Sequence, residues 1–143
     1  MAASILPDKW TVADGVYEPR EDSFLLARVL KDLDLAGKTV LDVGTGSGIQ
    51  AYTAAEQGAD VTAVDVNAVA LATARENLAA HGHELRCISS DLFSEVTGTF
   101  DVIVFNPPYV PGGAELGTDE EQSWAGGEQG RETIDRFLDG FRQ

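Results

Sequence analysis

The sequence predicts an α/β fold: an open, mainly parallel sheet with helices on both faces. Four apolar runs of strand length recur along the 143 residues, and segments with helical periodicity lie between them. Strands that alternate with helices of roughly ten or more residues indicate right-handed crossovers and therefore parallel pairing. A chain of this length fits one domain, residues 1–143.

The four candidate strands are the most apolar segments of the chain. They cover residues 39–43, 60–65, 84–89 and 100–105. Three helices are predicted before or between them, at 23–33, at 49–57 and from 67 to about 82, the last two ending near Gly58 and Gly82. In the first helix the apolar stripe consists of Phe24, Leu25, Val29 and Leu30.

The segment after the fourth strand is rich in glycine and then returns to a helical pattern. Residues 111–130 are expected to form a long loop. A helix is predicted over 132–141, because Ile134, Phe137 and Leu138 share one face. Four strands are fewer than an open α/β sheet usually carries, so we expect the chain to be truncated at its C-terminus.

Charge and composition limit the classes of function. The net charge is −14, from 24 acidic and 10 basic residues. Such a field repels a phosphate backbone, so stable binding of this chain alone to nucleic acid is not expected. Adaptation to a salt-loving source and an ordinary acidic surface both remain open as explanations.

Several features favour a cytoplasmic protein without a metal site. No run of about 20 apolar residues occurs, and the N-terminus lacks the features of a signal peptide, so no membrane association is expected. The single Cys87 excludes an internal disulfide and is interpreted as a packed thiol. His81 and His83 have no partners at metal-ligand spacing, so we expect surface turn residues.

A glycine-rich turn follows the first strand. Gly44, Gly46 and Gly48 give the pattern G-x-G-x-G, whereas the dinucleotide fingerprint requires G-x-G-x-x-G. The glycines let the backbone turn sharply and approach a ligand closely. Asp42, just before the turn, would repel a phosphate, and it suits a ligand with a positive or hydrogen-bond-donating group.

Two more carboxylates follow the next strands. Asp65 is placed to accept both hydroxyls of a ribose. Asp91 is placed to accept the exocyclic amine of an adenine, with Leu92 packing on the ring. Each aspartate alone is equally explained as a helix cap or a turn residue. Three at the ends of successive strands predict one ligand crevice.

The fourth strand ends in the sequence FNPPY, residues 105–109. Proline fixes φ and lacks a donor, so strand termination is one sufficient interpretation. The other is a rigid pocket wall, in which the amide of Asn106 and the ring of Tyr109 hold a planar, amide-like substrate.

Taken together, LDVGTGSG, AVDVN, SSDLF and FNPPY, in this order and spacing, resemble the class I S-adenosylmethionine-dependent methyltransferases, which have a Rossmann-like fold. The NPPY ending is similar to that of enzymes that methylate planar, conjugated nitrogens. VYEPREDSFLLARVL (16–30) and SWAGGEQGRETIDRFL (123–138) resemble the archaeal and eukaryotic branch of the HemK-type release-factor glutamine methyltransferases. The resemblance covers nearly all of the chain from Tyr17 onward.

The resemblance implies a cofactor, a substrate and a set of site residues. The cofactor is S-adenosyl-L-methionine, and the substrate is the glutamine amide in the Gly-Gly-Gln loop of a release factor. Asn106 and the carbonyl of Pro107 would accept hydrogen bonds from that amide, while Tyr109 packs on its plane. The implied cofactor-binding residues are Ser23, Asp42, Gly44, Gly46, Gly48, Asp65, Asp91, Leu92 and Asn106.

The resemblance also implies a partner, and rival functions remain. A small zinc-binding activator protein is expected to pair with the edge strand 84–89 by strand addition. The loop 111–130 is expected to cover the pocket, and Trp124 either contacts the substrate or packs onto the domain. One rival is a nucleic-acid methyltransferase acting on adenine N6 or guanine N2. The other is a non-catalytic scaffold with the same fold.

Overall fold

A computed structural model describes residues 6–106 and 132–141 of the chain. In these residues four strands form one parallel sheet with the order β3-β2-β1-β4. The strands are β1 (Thr39–Val43), β2 (Asp60–Asp65), β3 (Arg86–Ser89) and β4 (Val102–Phe105). The helices are α1 (Glu21–Lys31), α2 (Ile49–Glu56), α3 (Ala68–Ala79) and α4 (Glu132–Phe141).

This architecture confirms the predicted α/β fold and the parallel sheet. The bounds of β1, β2 and α4 are as predicted, whereas β3 and β4 each begin two residues later than predicted. β3 lies at one edge of the described sheet, as expected. Among the described residues, no helix is long and apolar enough to cross a bilayer.

Two apolar clusters cover the two faces of the sheet. On one face Val40 and Val61 pack with buried residues of α1, α2 and α3, such as Leu30 and Leu78. On the other face Leu41, Val43 and Val64 pack with Leu92, Phe93, Phe105 and Phe137. Successive residues of β1 therefore point into different layers, which is typical of a parallel strand covered on both sides.

The stripe predicted for α1 is wrong in part. Leu25 and Val29 are 63% and 51% exposed, and the buried positions of the helix are Ser23, Ala27 and Leu30. Small residues at positions 23 and 27 allow α1 to approach α2 closely, and Gln50 donates to the Ser23 carbonyl at 2.7 Å. Periodicity located the helix, but residue size decided which side faces the core.

The segment before α1 is held by a buried amide. Asn77 of α3 is 1% exposed; its Oδ1 accepts from the Thr11 backbone amide, and its Nδ2 donates to the carbonyls of Thr11 and Ser47. Trp10, which had no predicted role, packs against the first cluster. His81 and His83 lie in the turn before β3, as expected, and are partly exposed.

Candidate functional site

The carboxyl ends of the strands meet at one edge of the sheet. Val43 is aligned with Val64 of β2 on one side and with Phe105 of β4 on the other. The residues that follow these three positions, Gly44, Asp65 and Asn106, therefore begin at the same level. This register brings the glycine turn, the second carboxylate and the strand-ending amide to the same end of the sheet.

The glycine turn is fastened to the end of β2. The amides of Gly44 and Thr45 both donate to the carbonyl of Val64, at 2.7 and 3.0 Å. Gly44 and Gly46 have φ values of +70° and +57°, in the region that disfavours residues with a Cβ atom. The backbone of Gly44 is exposed at the crevice and is accessible to a ligand.

Gly48 has a packing role in the structure. It precedes α2 with a φ of +97°, and a Cβ atom at this position would lie 2.9 Å from the Cβ of Ala74 on α3. The third glycine therefore permits close contact between two helices. Its predicted contact with a cofactor remains a prediction.

Asp42 is a buried acid beneath the glycine turn. Its side chain is 2% exposed, and its Oδ2 accepts from the Thr45 hydroxyl at 2.8 Å. Burial raises the pKa of Asp42 from 3.8 to about 7; repulsion from Asp65 also raises it, while hydrogen bonds from Thr45 and the Ala51 backbone lower it. A cation placed against this carboxyl would favour its charged form.

Asp65 joins the glycine turn to the start of α3. Its Oδ2 accepts from the Gly46 amide at 3.0 Å, and its Oδ1 accepts from the Asn67 amide at 2.9 Å. Burial raises the pKa of Asp65, and these backbone hydrogen bonds oppose the rise. A carboxylate has about four lone-pair directions, so both oxygens can still accept from a ribose.

Val66 is a candidate site residue that the sequence analysis missed. It follows Asp65 directly and is 67% exposed, although valine is usually buried. An apolar side chain just past a strand-ending carboxylate offers a surface for the flat face of a base. The signal in the sequence was its position, directly after the predicted ribose-binding residue.

Asp91 lies at an exposed rim and already has a partner. Its Oδ2 accepts from Nη2 of Arg136 on α4 at 2.6 Å, and both side chains are more than half exposed. The neighbouring Leu92 has a φ of +53° and packs against the cluster of Leu41, Val43 and Val64. The predicted adenine contact of Asp91 remains a prediction, and binding there would have to compete with Arg136.

Asn106 is held by a residue from the far end of the chain. Its Nδ2 donates to Oδ2 of Asp22, in the first turn of α1, at 3.3 Å. The Tyr17 hydroxyl donates to Oδ1 of the same carboxylate at 3.3 Å. Sequence reasoning missed Asp22 and Tyr17 as site residues, since a pairing across 84 positions leaves no local pattern.

Ser23 lies next to Asp22, but its hydroxyl already forms a hydrogen bond at the start of α1. It is 2% exposed, and its hydroxyl accepts from the Arg20 amide at 3.2 Å. It therefore caps α1, which orients Asp22. Pro107 and Tyr109, predicted to hold the substrate, lie outside the described residues, as do Trp124 and the loop 111–130.

Comparisons with known proteins show the family to which the chain belongs. The family described as the methyltransferase small domain matches residues 19–121. The human methyltransferase HEMK2 is 38% identical over 135 residues, covering 86% of this chain. A release factor glutamine methyltransferase of Chlorobaculum tepidum is 41% identical over 127 residues, covering 78% of this chain and 43% of that protein.

A solved structure extends the similarity to the fold. The Mtq2–Trm112 complex of E. cuniculi, described as responsible for methylation of the eRF1 translation termination factor, matches with a TM-score of 0.71 at 34% identity. The match covers 87% of this chain and 68% of that one. The chain spans 63% of the length of human HEMK2.

Proposed function

Because the chain belongs to the methyltransferase small domain family, we propose that it transfers a methyl group from S-adenosyl-L-methionine to a glutamine side-chain amide of a translation termination factor. The observation that carries the proposal is the grouping of Asp42, Asp65 and Asn106 at one edge of the sheet. We place this activity in the cytoplasm, where translation ends.

The two buried acids suit the two polar ends of the cofactor. The amino acid end carries an ammonium group, and a cation favours the charged form of Asp42, which burial alone disfavours. Asp65 is an acceptor for ribose hydroxyls, held in place by backbone amides on each side. Val66 and Leu92 offer apolar surface for the adenine, with Asp91 as the acceptor for its amine.

Asn106 supplies orientation for the reacting nitrogen. A carboxamide nitrogen is a weak nucleophile, because its lone pair is delocalised into the carbonyl. An acceptor at Oδ1 of Asn106, with the Pro107 carbonyl as a second acceptor, fixes the amide NH₂ while Tyr109 packs on its plane. Holding the nitrogen about 3 Å from the methyl carbon collects effective molarity worth several kcal/mol.

The chemistry needs no nucleophilic residue of the protein. When bound, S-adenosyl-L-methionine supplies a methyl group on a sulfonium, which is an excellent leaving group. Transfer would form a bond between the amide nitrogen and the methyl carbon, break the sulfur–methyl bond and release one proton from the nitrogen to water. The contribution of the protein is therefore positioning.

The edge strand β3 is the candidate binding surface for a partner protein. In the described sheet β3 pairs with β2 alone, and Arg86 and Ser89 at its ends are exposed. A small zinc-binding protein could add a strand along this edge, and the similar Mtq2 protein was solved in complex with Trm112. We extend this arrangement to the present chain as part of the proposal.

The decisive experiment measures transfer of a radiolabelled methyl group to a release factor, to RNA and to DNA, with and without the partner. We expect label in the release factor and in its Gly-Gly-Gln glutamine. Asn106→Ala should lower turnover roughly 100-fold or more while cofactor affinity changes little, as expected for a group that acts on the reacting nitrogen.

Three results would contradict the proposal in different ways. Label in RNA or DNA alone would assign a nucleic-acid substrate. Cofactor binding by calorimetry without transfer to any acceptor would favour a scaffold. Equal losses of turnover and cofactor affinity in Asn106→Ala would give Asn106 a structural role.

A further inference from the structure

A carboxylate at the start of α1 contacts the amide of Asn106. Asp22 is half-buried in the first turn of α1, and its Oδ2 lies 3.3 Å from Nδ2 of Asn106. Its two oxygens also lie 3.3 and 3.5 Å from the Tyr17 hydroxyl. Through these contacts Asp22 connects Tyr17, in the segment before α1, to Asn106 at the end of β4.

The chemistry of this contact distinguishes the two ends of the amide. An ionised carboxylate only accepts hydrogen bonds, whereas an asparagine amide has one donor end and one acceptor end. With Nδ2 toward Asp22 the contact is a charge-assisted hydrogen bond. In the opposite orientation two acceptors would face each other. Asp22 therefore selects one of the two orientations of Asn106.

We infer that Asp22 is a positioning residue, which holds Oδ1 of Asn106 toward the substrate as an acceptor. This inference rests on the proposed function, because the substrate amide NH₂ is a donor and needs an acceptor opposite it. With the amide reversed, the Nδ2 donor would face the NH₂ donor of the substrate. The orientation set by Asp22 is the productive one.

The surrounding structure keeps Asp22 in place. Ser23 is buried and caps the helix through the Arg20 amide, while Gln50 donates to the Ser23 carbonyl at 2.7 Å. Position 22 is thus fixed by α2 as well as by its own helix. Tyr17 donates to the carboxylate from the other side, so the acid cannot swing away from Asn106 without losing that bond.

The kinetic test compares Asp22→Asn with Glu21→Gln. Both substitutions remove one negative charge from the first turn of α1, but Glu21 is exposed and is not among the residues that contact Asn106 in the described part of the chain. Asn at position 22 can present either a donor or an acceptor, so it no longer selects the orientation of Asn106. We expect kcat to fall roughly ten-fold, as for loss of a charged hydrogen bond.

The expected signature is a change in kcat without a change in binding. For Asp22→Asn, the KM for the release factor and the affinity for the cofactor should stay within about two-fold of wild type. Glu21→Gln should match wild type in all three quantities. A loss in Asp22→Asn that appears mainly in cofactor affinity, or an equal loss in Glu21→Gln, would overturn the inference.

A second measurement needs no enzymatic activity, so it separates this inference from the proposed function. In ¹⁵N-labelled protein the side-chain amide signal of Asn106 is assigned by its disappearance in Asn106→Ala. Asp22→Asn should move its hydrogen-bonded proton upfield and speed its exchange with water several-fold, in a spectrum that otherwise remains dispersed. An Asn106 signal that is the same in wild type, Asp22→Asn and Glu21→Gln would overturn the inference, even if methyl transfer is observed.

Discussion

Replacing Asp42 with asparagine should stabilise the unliganded protein above neutral pH. The substitution keeps the shape of the side chain and an acceptor for the Thr45 hydroxyl, but it removes a charge that is 2% exposed. A buried charge without a cationic partner is costly. The stabilisation should depend on pH in a way that identifies its cause.

The sign follows from the pKa of Asp42. Burial raises this pKa from 3.8 to about 7, so between these values the folded state binds more protons than the unfolded state. The free energy of unfolding of the wild type therefore falls as the pH rises through this window, and the contribution is constant above it. Each pH unit within this window lowers the free energy of unfolding of the wild type by about 1.4 kcal/mol, so the total loss by pH 8 is on the order of 4 kcal/mol.

The assay is urea unfolding of wild type and Asp42→Asn at a series of pH values between about 4 and 8.5, at constant salt. The advantage of the variant should grow through the window and level off near pH 7. Asp60→Asn, at the exposed start of β2, is the matched control and should show no such growth. If the difference in free energy of unfolding between wild type and Asp42→Asn does not vary with pH, the reasoning is refuted. In the same variant we also expect a lower affinity for the cofactor.

Two further substitutions test the site and the packing beneath it. Asp65→Ala should weaken cofactor binding by roughly 1–3 kcal/mol in calorimetry, because a buried acceptor is lost; unchanged affinity would remove Asp65 from the site. Gly48→Ala should lower the free energy of unfolding by roughly 2–4 kcal/mol, since the new Cβ would lie 2.9 Å from that of Ala74 at a φ of +97°. Gly82→Ala has a φ of +81° but open space around it, so it should cost only about 1–2 kcal/mol.

Sequence patterns were sufficient to predict the parallel sheet and the end of it at which the strand-ending residues meet. Parallel pairing follows from the alternation of strands and helices, and parallel strands bring their carboxyl ends to one edge. That rule predicted one crevice for Asp42, Asp65 and Asp91, and the resemblance added Asn106. Asp91 lies at the exposed rim beside Arg136, whereas the register aligns the strand ends that carry Asp42, Asp65 and Asn106. These three positions are fixed by the register of the backbone, which short apolar runs determine well.

Contacts between distant segments were not predictable in the same way. Asp22 reaches Asn106 across 84 positions, and Asn77 reaches Thr11 across 66. Neither contact has a periodic signature, because each depends on how a whole helix packs. Arg136 likewise reaches Asp91 from α4, so the exposed rim of the site could not be derived from the strand ends alone.

The acids at the two ends of the sheet differ in a way that bears on function. Asp101, at the amino end of β4, accepts from the Thr39 amide at 2.9 Å, and this backbone hydrogen bond lowers its pKa, so its charge is favoured by the fold. Asp42 and Asp65, at the carboxyl end, have pKa values raised by burial. Among the described residues, no lysine or arginine forms an ion pair with either of them.

The fold therefore stabilises the charged form of Asp101 but not that of Asp42. The donors to Asp42, the Thr45 hydroxyl and the Ala51 backbone, are neutral and do not offset the cost of burying it, and the charge of Asp65 adds to that cost. An asparagine would remove the charge, although its single acceptor oxygen replaces two. A cation beside Asp42 would favour its charged form, and under the proposed function the ammonium group of S-adenosyl-L-methionine would be that cation.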